Sequence, residues 1–220
     1  MTNIPNTFSS THPVSFSRVR AVALRVLTAP GLAGRVFLEG GLVPWVVSGC
    51  DSGRPHGDVD IAVRLSDMPA ARDWLAAEGL YDPALDSLNL SCNSGHGDFG
   101  AHALVDGVLV SFCPFFFAAD GGLHQRNAAL KAADGFDALL EATASGIAES
   151  DFVEERVLPD GARIGCATLE ACRAAKAASG REKDAHDIAE IDRIGIDAGR
   201  CARIAGAFGA MRVACVAHGE

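Results

Sequence analysis

Two aspartates, Asp58 and Asp60, alternate with apolar residues in the segment DVDIAVRL. Successive side chains of a β-strand point to opposite faces, so residues at i and i+2 share a face about 7 Å apart. Carboxylates at that spacing suit a divalent cation such as Mg²⁺, which prefers oxygen ligands. The spacing therefore predicts a strand that presents both acids on one face, where they are candidate metal ligands.

The dipeptide Gly40-Gly41 lies between a short apolar run at residues 35–38 and a second apolar segment at residues 42–47. Glycines at a strand-to-helix turn let a phosphate approach the backbone, and the free N–H groups at the helix start donate to it. Each signal is weak alone. D-x-D occurs in many chains as solvated acids at the end of a strand, and Gly-Gly is usually only a turn. In this order they indicate a pocket for a phosphate and magnesium.

The order G-G, helix and R-x-H-x-D-x-D between residues 40 and 60 resembles the nucleotidyltransferase superfamily, whose members have a DNA polymerase beta-like fold. The branches it resembles most are the aminoglycoside nucleotidyltransferases and the small bacterial toxin or abortive-infection nucleotidyltransferases. The likeness covers roughly residues 36–117, with a second patch at residues 169–194. It implies transfer of a nucleoside monophosphate from a nucleoside triphosphate to an acceptor, with release of pyrophosphate.

The same resemblance implies the roles of individual residues. Asp58 and Asp60 would be the catalytic acids that bind Mg²⁺ (or Mn²⁺) between the nucleotide phosphates, and Gly40 and Gly41 would hold the β and γ phosphates. Further nucleotide contacts are expected from Arg54, His56, Lys176, Arg181, Lys183 and Asp184. The second patch also has an ordinary structural explanation, because Lys183 and Asp187 form an i, i+4 pair and acids in a first turn favour the helix dipole.

The chain departs from the family pattern at Ser111, where members usually carry a third carboxylate that takes the proton of the acceptor hydroxyl. A serine is neither a base of that kind nor a strong magnesium ligand. Three alternatives follow: another acid such as Asp98 substitutes, the substrate brings its own activated group, or the protein binds nucleotide without turnover. Asp106 is a poor substitute, because a role in a hairpin turn already explains it.

Local patterns predict an α/β fold, with a small mixed and twisted sheet flanked by helices and a helical C-terminal region. Strands are predicted at residues 35–38, 58–65, 87–92, 99–105, 108–113, 152–158 and 162–166. Asp106-Gly107 and Pro159-Asp160-Gly161 are typical of hairpin turns between neighbouring strands. Helices are predicted at residues 16–29, 42–47, 68–78, 125–133, 137–147, 169–178, 182–194 and 198–216.

These elements suggest three parts along the 220 residues. Residues 1–14 form a flexible lead-in, residues 15–122 a nucleotidyltransferase-like core, and residues 123–220 a mainly helical region that closes the cleft. A second His-Gly-Asp at residues 96–98, near Cys92 and His102, lacks the paired spacing typical of zinc sites.

Composition limits the class of protein and its partners. The chain is 49% hydrophobic, which is typical of a globular protein. Its formal net charge of −9 disfavours binding to long nucleic acid, because a surface that binds many phosphates needs clustered Lys and Arg. Its seven cysteines lack a C-x-x-C pair, and the sequence shows no signal peptide or membrane span. A cytoplasmic protein is therefore expected, with no membrane partner.

The acceptor is not specified by the sequence, and a small molecule or a protein side chain is favoured over a tRNA end. Two other functions remain alternatives. One is a non-catalytic nucleotide-binding regulatory or interaction module, which the serine at position 111 would explain. The other is a metal-independent helical interaction domain in which DVDIAV is an ordinary strand.

Overall fold

The computed structural model describes residues 14–132 and 135–218, so the predicted lead-in lies outside the described residues except for Val14. The strands are β1 (Val36–Glu39), β2 (Asp58–Arg64), β3 (Ala101–Val105), β4 (Val108–Phe117), β5 (Leu123–Ala132), β6 (Gly135–Ala144), β7 (Val153–Val157), β8 (Arg163–Ala167) and β9 (Arg212–His218). The helices are α1 (Phe16–Leu27), α2 (Val43–Ser48), α3 (Met68–Ala77), α4 (Glu149–Phe152), α5 (Leu169–Ser179), α6 (Glu182–Ile194) and α7 (Ala198–Gly209).

All nine strands of the described residues belong to one mixed sheet, in the order β7-β8-β1-β2-β4-β5-β6-β9, with β3 also paired to β4. The pairs β1–β8 and β2–β4 are parallel, and the others are antiparallel. The predicted α/β class and mixed sheet are confirmed. No helix of the described residues is long and apolar enough to cross a membrane.

Helices cover both faces of the sheet. The side chains of β2 alternate between these two faces and therefore enter two different cores. Val59, Ile61 and Val63 are at most 1% exposed and join a core with buried residues of α1, α2 and α3. Ala62, on the opposite face, joins a second core that includes residues of α5 and α7. The two faces of β2 therefore become buried in different layers, and Asp58 and Asp60 share the face of Ala62.

The turn that leads into the site follows the sequence prediction. β1 ends at Glu39, residues Gly40–Leu42 form a short 3-10 turn, and α2 follows directly. The helix is short because Gly49, in the left-handed region at φ 74°, ends it. The predicted hairpins are also present, as β3–β4 around Asp106-Gly107 and as β7–β8.

The helices predicted at residues 125–133 and 137–147 are wrong, although residue 133 itself lies outside the described residues. Their place is taken by the antiparallel pair β5–β6, which joins β4 to β9. The alanine-rich sequence favours a helix by intrinsic propensity, but pairing with distant strands outweighs that preference. The sequence after β5 contains Asp134-Gly135, a dipeptide typical of hairpins, and this is the signal that was missed.

Two further predictions are corrected. Residues 87–92, predicted as a strand, form short 3-10 turns at Ser87–Asn89 and Ser91–Asn93, because Asp86 and the Asn93 side chain bond the backbone locally. The last helix ends at Gly209 rather than at residue 216, and the chain continues as the edge strand β9. The described residues after position 122 therefore combine four helices, α4 to α7, with strands of the common sheet. The division at residue 122 stays a prediction.

Candidate active site

Asp58 and Asp60 lie on β2 beside the glycine turn that follows β1. A Cβ atom placed on Gly40 would lie 2.5 Å from Asp60 Oδ2, and Gly40 has a φ of 75° that other residues rarely adopt. A Cβ on Gly41 would overlap the Arg54 guanidinium and lie 3.1 Å from Asp187 Oδ2. Both glycines are therefore required by close packing of charged side chains against the backbone.

A third carboxylate, Glu39, was missed in the sequence and lies at the end of β1. It is the register partner of Asp60, so both side chains lie on the same face of the sheet. Gln125 Nε2 of β5 donates a hydrogen bond of 2.8 Å to Glu39 Oε1. An acid directly before the glycine turn, at the end of the strand next to β2, is the signal that could have found it.

Burial governs the ionisation of these three acids. Burial raises the pKa of Glu39 to about 7, although the bond from Gln125 opposes the shift. Burial and then the charges of Asp58 and Glu39 raise the pKa of Asp60. Burial also raises the pKa of Asp58, against the opposing charge of Lys183. A divalent cation at the pair Asp58 and Asp60 would favour the ionised carboxylates and offset this cost.

The donor set fits Mg²⁺ bound together with a nucleotide. Among residues 14–132 and 135–218, no group of three or more His, Cys, Asp or Glu side chains is arranged to hold a metal ion. Mg²⁺ usually binds through one or two carboxylates and completes its shell with water and substrate phosphates. Asp58 and Asp60 would supply the carboxylates, beside the Gly40 turn that packs against Asp60.

Asp187 of α6 connects three parts of the chain around the site. It is fully buried, and it accepts hydrogen bonds of 2.7 and 2.6 Å from Arg54 and one of 2.5 Å from Lys176 of α5. Burial opposes its ionisation, but the bonds from Arg54 and Lys176 outweigh this and lower its pKa. Arg54 and Lys176 therefore share one buried carboxylate.

Asp184, one turn earlier on α6, holds a second set of contacts. Its carboxylate accepts bonds of 2.8 and 3.1 Å from Arg181 and lies 3.4 Å from Lys176 Nζ. The Ser179 hydroxyl at the end of α5 also donates to it. Asp184 is 1% exposed. Asp184 therefore anchors the start of α6, and its carboxylate is not accessible for direct contact with a nucleotide.

Lys183 differs from the other predicted cations because it is exposed and has no hydrogen-bond or ion-pair partner in the described parts of the chain. The Lys183 charge opposes the rise in the pKa of Asp58 that burial causes. Lys183 is thus a cation near the site that is available to an incoming anion. The predicted i, i+4 pairing of Lys183 with Asp187 is wrong, since Asp187 bonds Arg54 and Lys176 instead.

His56 is 5% exposed and lies close to the Arg54 and Lys176 charges. Burial and then the charge of Arg54 lower its pKa to about 4, so the ring is neutral at pH 7. Its Nε2 atom is buried without a hydrogen-bond partner among the described residues. Because the His56 ring is neutral and enclosed, we expect it to hold the conformation of the segment before Asp58 rather than to neutralise phosphate charge directly.

Ser111 of β4 is the register partner of Asp60 on β2. Its hydroxyl lies 2.9 Å from His102 Nδ1 on β3, and His102 Nε2 lies 2.7 Å from the carbonyl oxygen of Ala128. His102 was considered with His96, Asp98 and Cys92 as a metal site. Its ring is instead engaged by Ser111 and the backbone.

Neither alternative acid replaces the missing carboxylate. Asp98 accepts bonds of 2.7 and 2.8 Å from Arg72, which also binds Asp86, so its charge is used in a structural ion pair. Asp106 lies in the β3–β4 turn with a positive φ of 49° and binds Arg25. Asp98 and Asp106 are therefore each engaged by an arginine, and Glu39 is the additional carboxylate that the fold brings beside Asp60.

Comparison with known proteins gives a fold-level relation. No protein-family model matches the chain, and no curated protein matches it. The solved structure of the antibiotic-resistance factor ANT(2'')-Ia, an aminoglycoside nucleotidyltransferase, is similar with a TM-score of 0.52 and 14% identity, over 90% of this chain and 94% of that one. The chain has the nucleotidyltransferase fold.

A lincomycin-bound structure of the lincosamide antibiotic adenylyltransferase LnuA is also similar, with a TM-score of 0.45 and 18% identity over 73% of this chain and 87% of that one. The similarity to ANT(2'')-Ia confirms, at the level of the nucleotidyltransferase fold, the resemblance inferred from the G-G and D-x-D motifs. Within that fold, the Gly40 backbone packs against Asp60, and Asp58 lies on the same face of β2 as Asp60.

Proposed function

We propose that this protein is a magnesium-dependent nucleotidyltransferase that moves a nucleoside monophosphate from a nucleoside triphosphate to a small-molecule acceptor and releases pyrophosphate. The observation that carries the proposal is the contact of Asp60, one of the two paired acids, with the glycine turn. Asp58 and Asp60 share one face of β2, and the Gly40 backbone lies directly against Asp60. This arrangement can bind a metal and a polyphosphate together.

Each part of the site has a role in this proposal. Asp58 and Asp60 would hold Mg²⁺, which neutralises charge on the phosphates as pyrophosphate leaves. The backbone around Gly40 and Gly41 would receive the β and γ phosphates, and Lys183 would pair with a phosphate oxygen. Asp187 keeps Arg54 and Lys176 at the rim of this pocket.

The acceptor class follows from charge and from the shared fold. A net charge of −9 disfavours a long nucleic acid acceptor, because phosphate-tracking surfaces need clustered cations. The ANT(2'')-Ia structure, which shares the fold, is that of an antibiotic-resistance factor. We therefore favour a small polar molecule with a free hydroxyl group, and next a protein side chain. A tRNA end is the least favoured of the three.

The test is transfer of label from each of the four α-labelled ribonucleoside triphosphates to components of a bacterial lysate, with and without Mg²⁺. The Asp58→Asn/Asp60→Asn variant keeps the side-chain size and removes the metal ligands. As a matched control, Asp73→Ala/Glu155→Ala removes two exposed acids elsewhere. Transfer by the wild type and control, but not by the Asn variant, supports the proposal, and the labelled species identifies the acceptor.

Non-catalytic nucleotide binding is the second candidate, because Ser111 replaces the usual third carboxylate. It predicts that Mg²⁺ and nucleotide bind together through Asp58 and Asp60 while no label moves to any lysate component. Isothermal titration with the same nucleotides separates the two functions. Loss of binding in the Asn variant, without transfer by the wild type, favours the binding module.

A further inference from the structure

Four polar side chains form a row across neighbouring strands of the sheet. Glu39 of β1 is the register partner of Asp60 on β2, Asp60 is that of Ser111 on β4, and Ser111 is that of His102 on β3. Register partners project on the same face of a sheet. The row therefore leads from the candidate metal ligand Asp60 through Ser111 to the imidazole of His102.

The hydrogen bonds of His102 fix which ring nitrogen carries a proton. The Ala128 carbonyl oxygen, 2.7 Å away, can only accept a hydrogen bond, so Nε2 is the protonated nitrogen. Burial lowers the pKa of His102, so the ring is neutral and Nδ1 is an acceptor. The Ser111 hydroxyl, 2.9 Å from Nδ1, therefore donates its proton toward the ring.

A hydroxyl bonded to a base, with the base oriented by a third group, is the arrangement that activates serine hydroxyls in enzymes. Here it lies next to Asp60, in the register position that would otherwise hold a carboxylate. Ser111 is 7% exposed and His102 5%, so solvent has little access to the proton between them. The pair is thus built to receive a proton on the metal side and hold it in the interior.

We propose that Ser111 and His102 together replace the missing carboxylate as the proton acceptor for the attacking hydroxyl group. This inference rests on the proposed nucleotidyl transfer. As the acceptor oxygen forms its bond to the α-phosphorus, its proton passes to Ser111 Oγ while the Ser111 proton passes to His102 Nδ1. The bond from the α-phosphorus to the bridging oxygen breaks, and pyrophosphate leaves. The proton returns to solvent after the products dissociate.

The surroundings of His102 can support the imidazolium that forms. Its Nε2–H stays bonded to the Ala128 carbonyl, and the negative charge of Asp86 favours the charged ring. Ser111 is the catalytic residue in this scheme, because it touches the acceptor. His102 acts through Ser111 and is a positioning and proton-holding residue.

Glu39 is the rival proton acceptor, since it lies on the other side of Asp60 in the same row. Its carboxylate is bonded by Gln125, and no described contact links it to Ser111. Glu39→Gln keeps an oxygen for the bond from Gln125 and removes the base. Comparing Glu39→Gln with His102→Gln therefore tells which end of the row receives the proton.

The experiment measures the rate of label transfer from Mg²⁺ and α-labelled nucleoside triphosphate to the lysate acceptor. The variants are Ser111→Ala, His102→Gln, Glu39→Gln, Ser111→Asp and Ser111→Asp/His102→Gln. His124→Gln is the matched control, because it makes the same change in a histidine bonded to Glu141. Nucleotide binding by titration calorimetry and unfolding in urea are measured on every variant, so that a folding defect is recognised.

We expect Ser111→Ala and His102→Gln each to lower the transfer rate about 100-fold, the usual contribution of a general base, with nucleotide affinity unchanged. Ser111→Asp supplies a carboxylate and restores transfer, and adding His102→Gln to it has an effect below about threefold. If the role of His102 were purely structural, His102→Gln would lower the transfer rate equally in the wild type and in Ser111→Asp. Three results would overturn this inference but leave the proposed function standing. They are that equal loss, a wild-type transfer rate in Ser111→Ala, and a large loss of rate confined to Glu39→Gln. Absence of transfer by the wild type would overturn the proposed function and this inference together.

Discussion

At the scale of single residues, the cations of the site fall into two groups that the sequence does not distinguish. Arg54 and Lys176 are both bonded to Asp187, and Arg181 is bonded to Asp184. Lys183 alone among these predicted cations has no such partner in the described residues. A phosphate must compete with a buried carboxylate for the first group, but it meets Lys183 directly. Direct electrostatic recognition of nucleotide is therefore expected to depend mainly on Lys183.

Lys183→Ala should weaken binding of Mg²⁺ and nucleoside triphosphate by about 10- to 100-fold, because a charge-assisted hydrogen bond contributes about 1.5–3 kcal/mol. Stability should change by less than about 0.5 kcal/mol, since the side chain is exposed. Titration calorimetry gives the affinity and urea unfolding the stability. Arg163→Ala removes another exposed cation, on β8, and should leave the affinity unchanged. Equal losses in both variants would show that overall charge, not position, matters.

At the scale of elements, α6 is fastened to the site by one buried carboxylate. Asp187 bonds Lys176 on α5 and Arg54 in the segment between α2 and β2. Three segments distant in sequence thus meet at a single charged contact that is fully buried. Removing one partner of such a contact leaves charge in the interior without compensation.

Asp187→Asn should therefore lower the free energy of unfolding by about 3 kcal/mol, because Arg54 would then lack its carboxylate and Lys176 would keep only the 3.4 Å contact with Asp184. The difference is measured by urea unfolding at pH 7. Asp192→Asn is the control, since Asp192 also lies on α6 and pairs with Arg173 but is far more exposed, at 47% of its side chain. That change should cost less than about 1 kcal/mol. Similar costs at the two positions would contradict the central role of Asp187.

A second link, between α4 and α7, gives a prediction for acid stability. Asp151 is 6% exposed and bonds Arg203 at 2.6 and 2.7 Å, and these bonds lower its pKa to about 2. Because the folded pKa lies below the unfolded value, the carboxylate stabilises the fold above about pH 4 and loses this effect as the pH falls toward 2.

Asp151→Asn should thus lower the free energy of unfolding by about 1–2 kcal/mol at pH 7 and by about half of that at pH 3. Urea unfolding of the wild type and the variant at both pH values measures the difference. Asp160→Asn, an exposed hairpin acid, should show no such pH dependence. A cost that is constant from pH 7 to pH 3 would indicate that packing, rather than ionisation of Asp151, causes it.

Local signals predicted the site better than they predicted the outer elements. β2 and the Gly40 turn were found because alternation and glycine act over a few residues. β5 and β6 were mistaken for helices because strand pairing is set by distant partners, which single-sequence propensity does not contain. Glu39 was missed for the same reason, since only the β1–β2 register places it beside Asp60.

At the scale of the whole molecule, the fold concentrates its unfavourable charge at one place. The chain carries a net charge of −9, and three partly buried acids meet where β1, β2 and the glycine turn come together. In the absence of a cation, burial and mutual repulsion make the ionised acids costly. Binding of a metal and a polyphosphate at this point should therefore stabilise the entire fold, not only the loops around the site.

Mg²⁺ with nucleoside triphosphate should raise the melting temperature by about 5–10 °C at a ligand concentration near 100 times the Kd, which corresponds to about 2.7 kcal/mol. Mg²⁺ alone, or nucleotide with EDTA, should give a smaller shift, because the acids and phosphates need the cation between them. Differential scanning fluorimetry of the wild type and of Asp58→Asn/Asp60→Asn measures both. The Asn variant should start from an equal or higher melting temperature, since it no longer buries two ionisable carboxyl groups, and should show no further rise with Mg²⁺ and nucleotide. A ligand-induced rise that persists in this variant would place nucleotide binding elsewhere on the molecule.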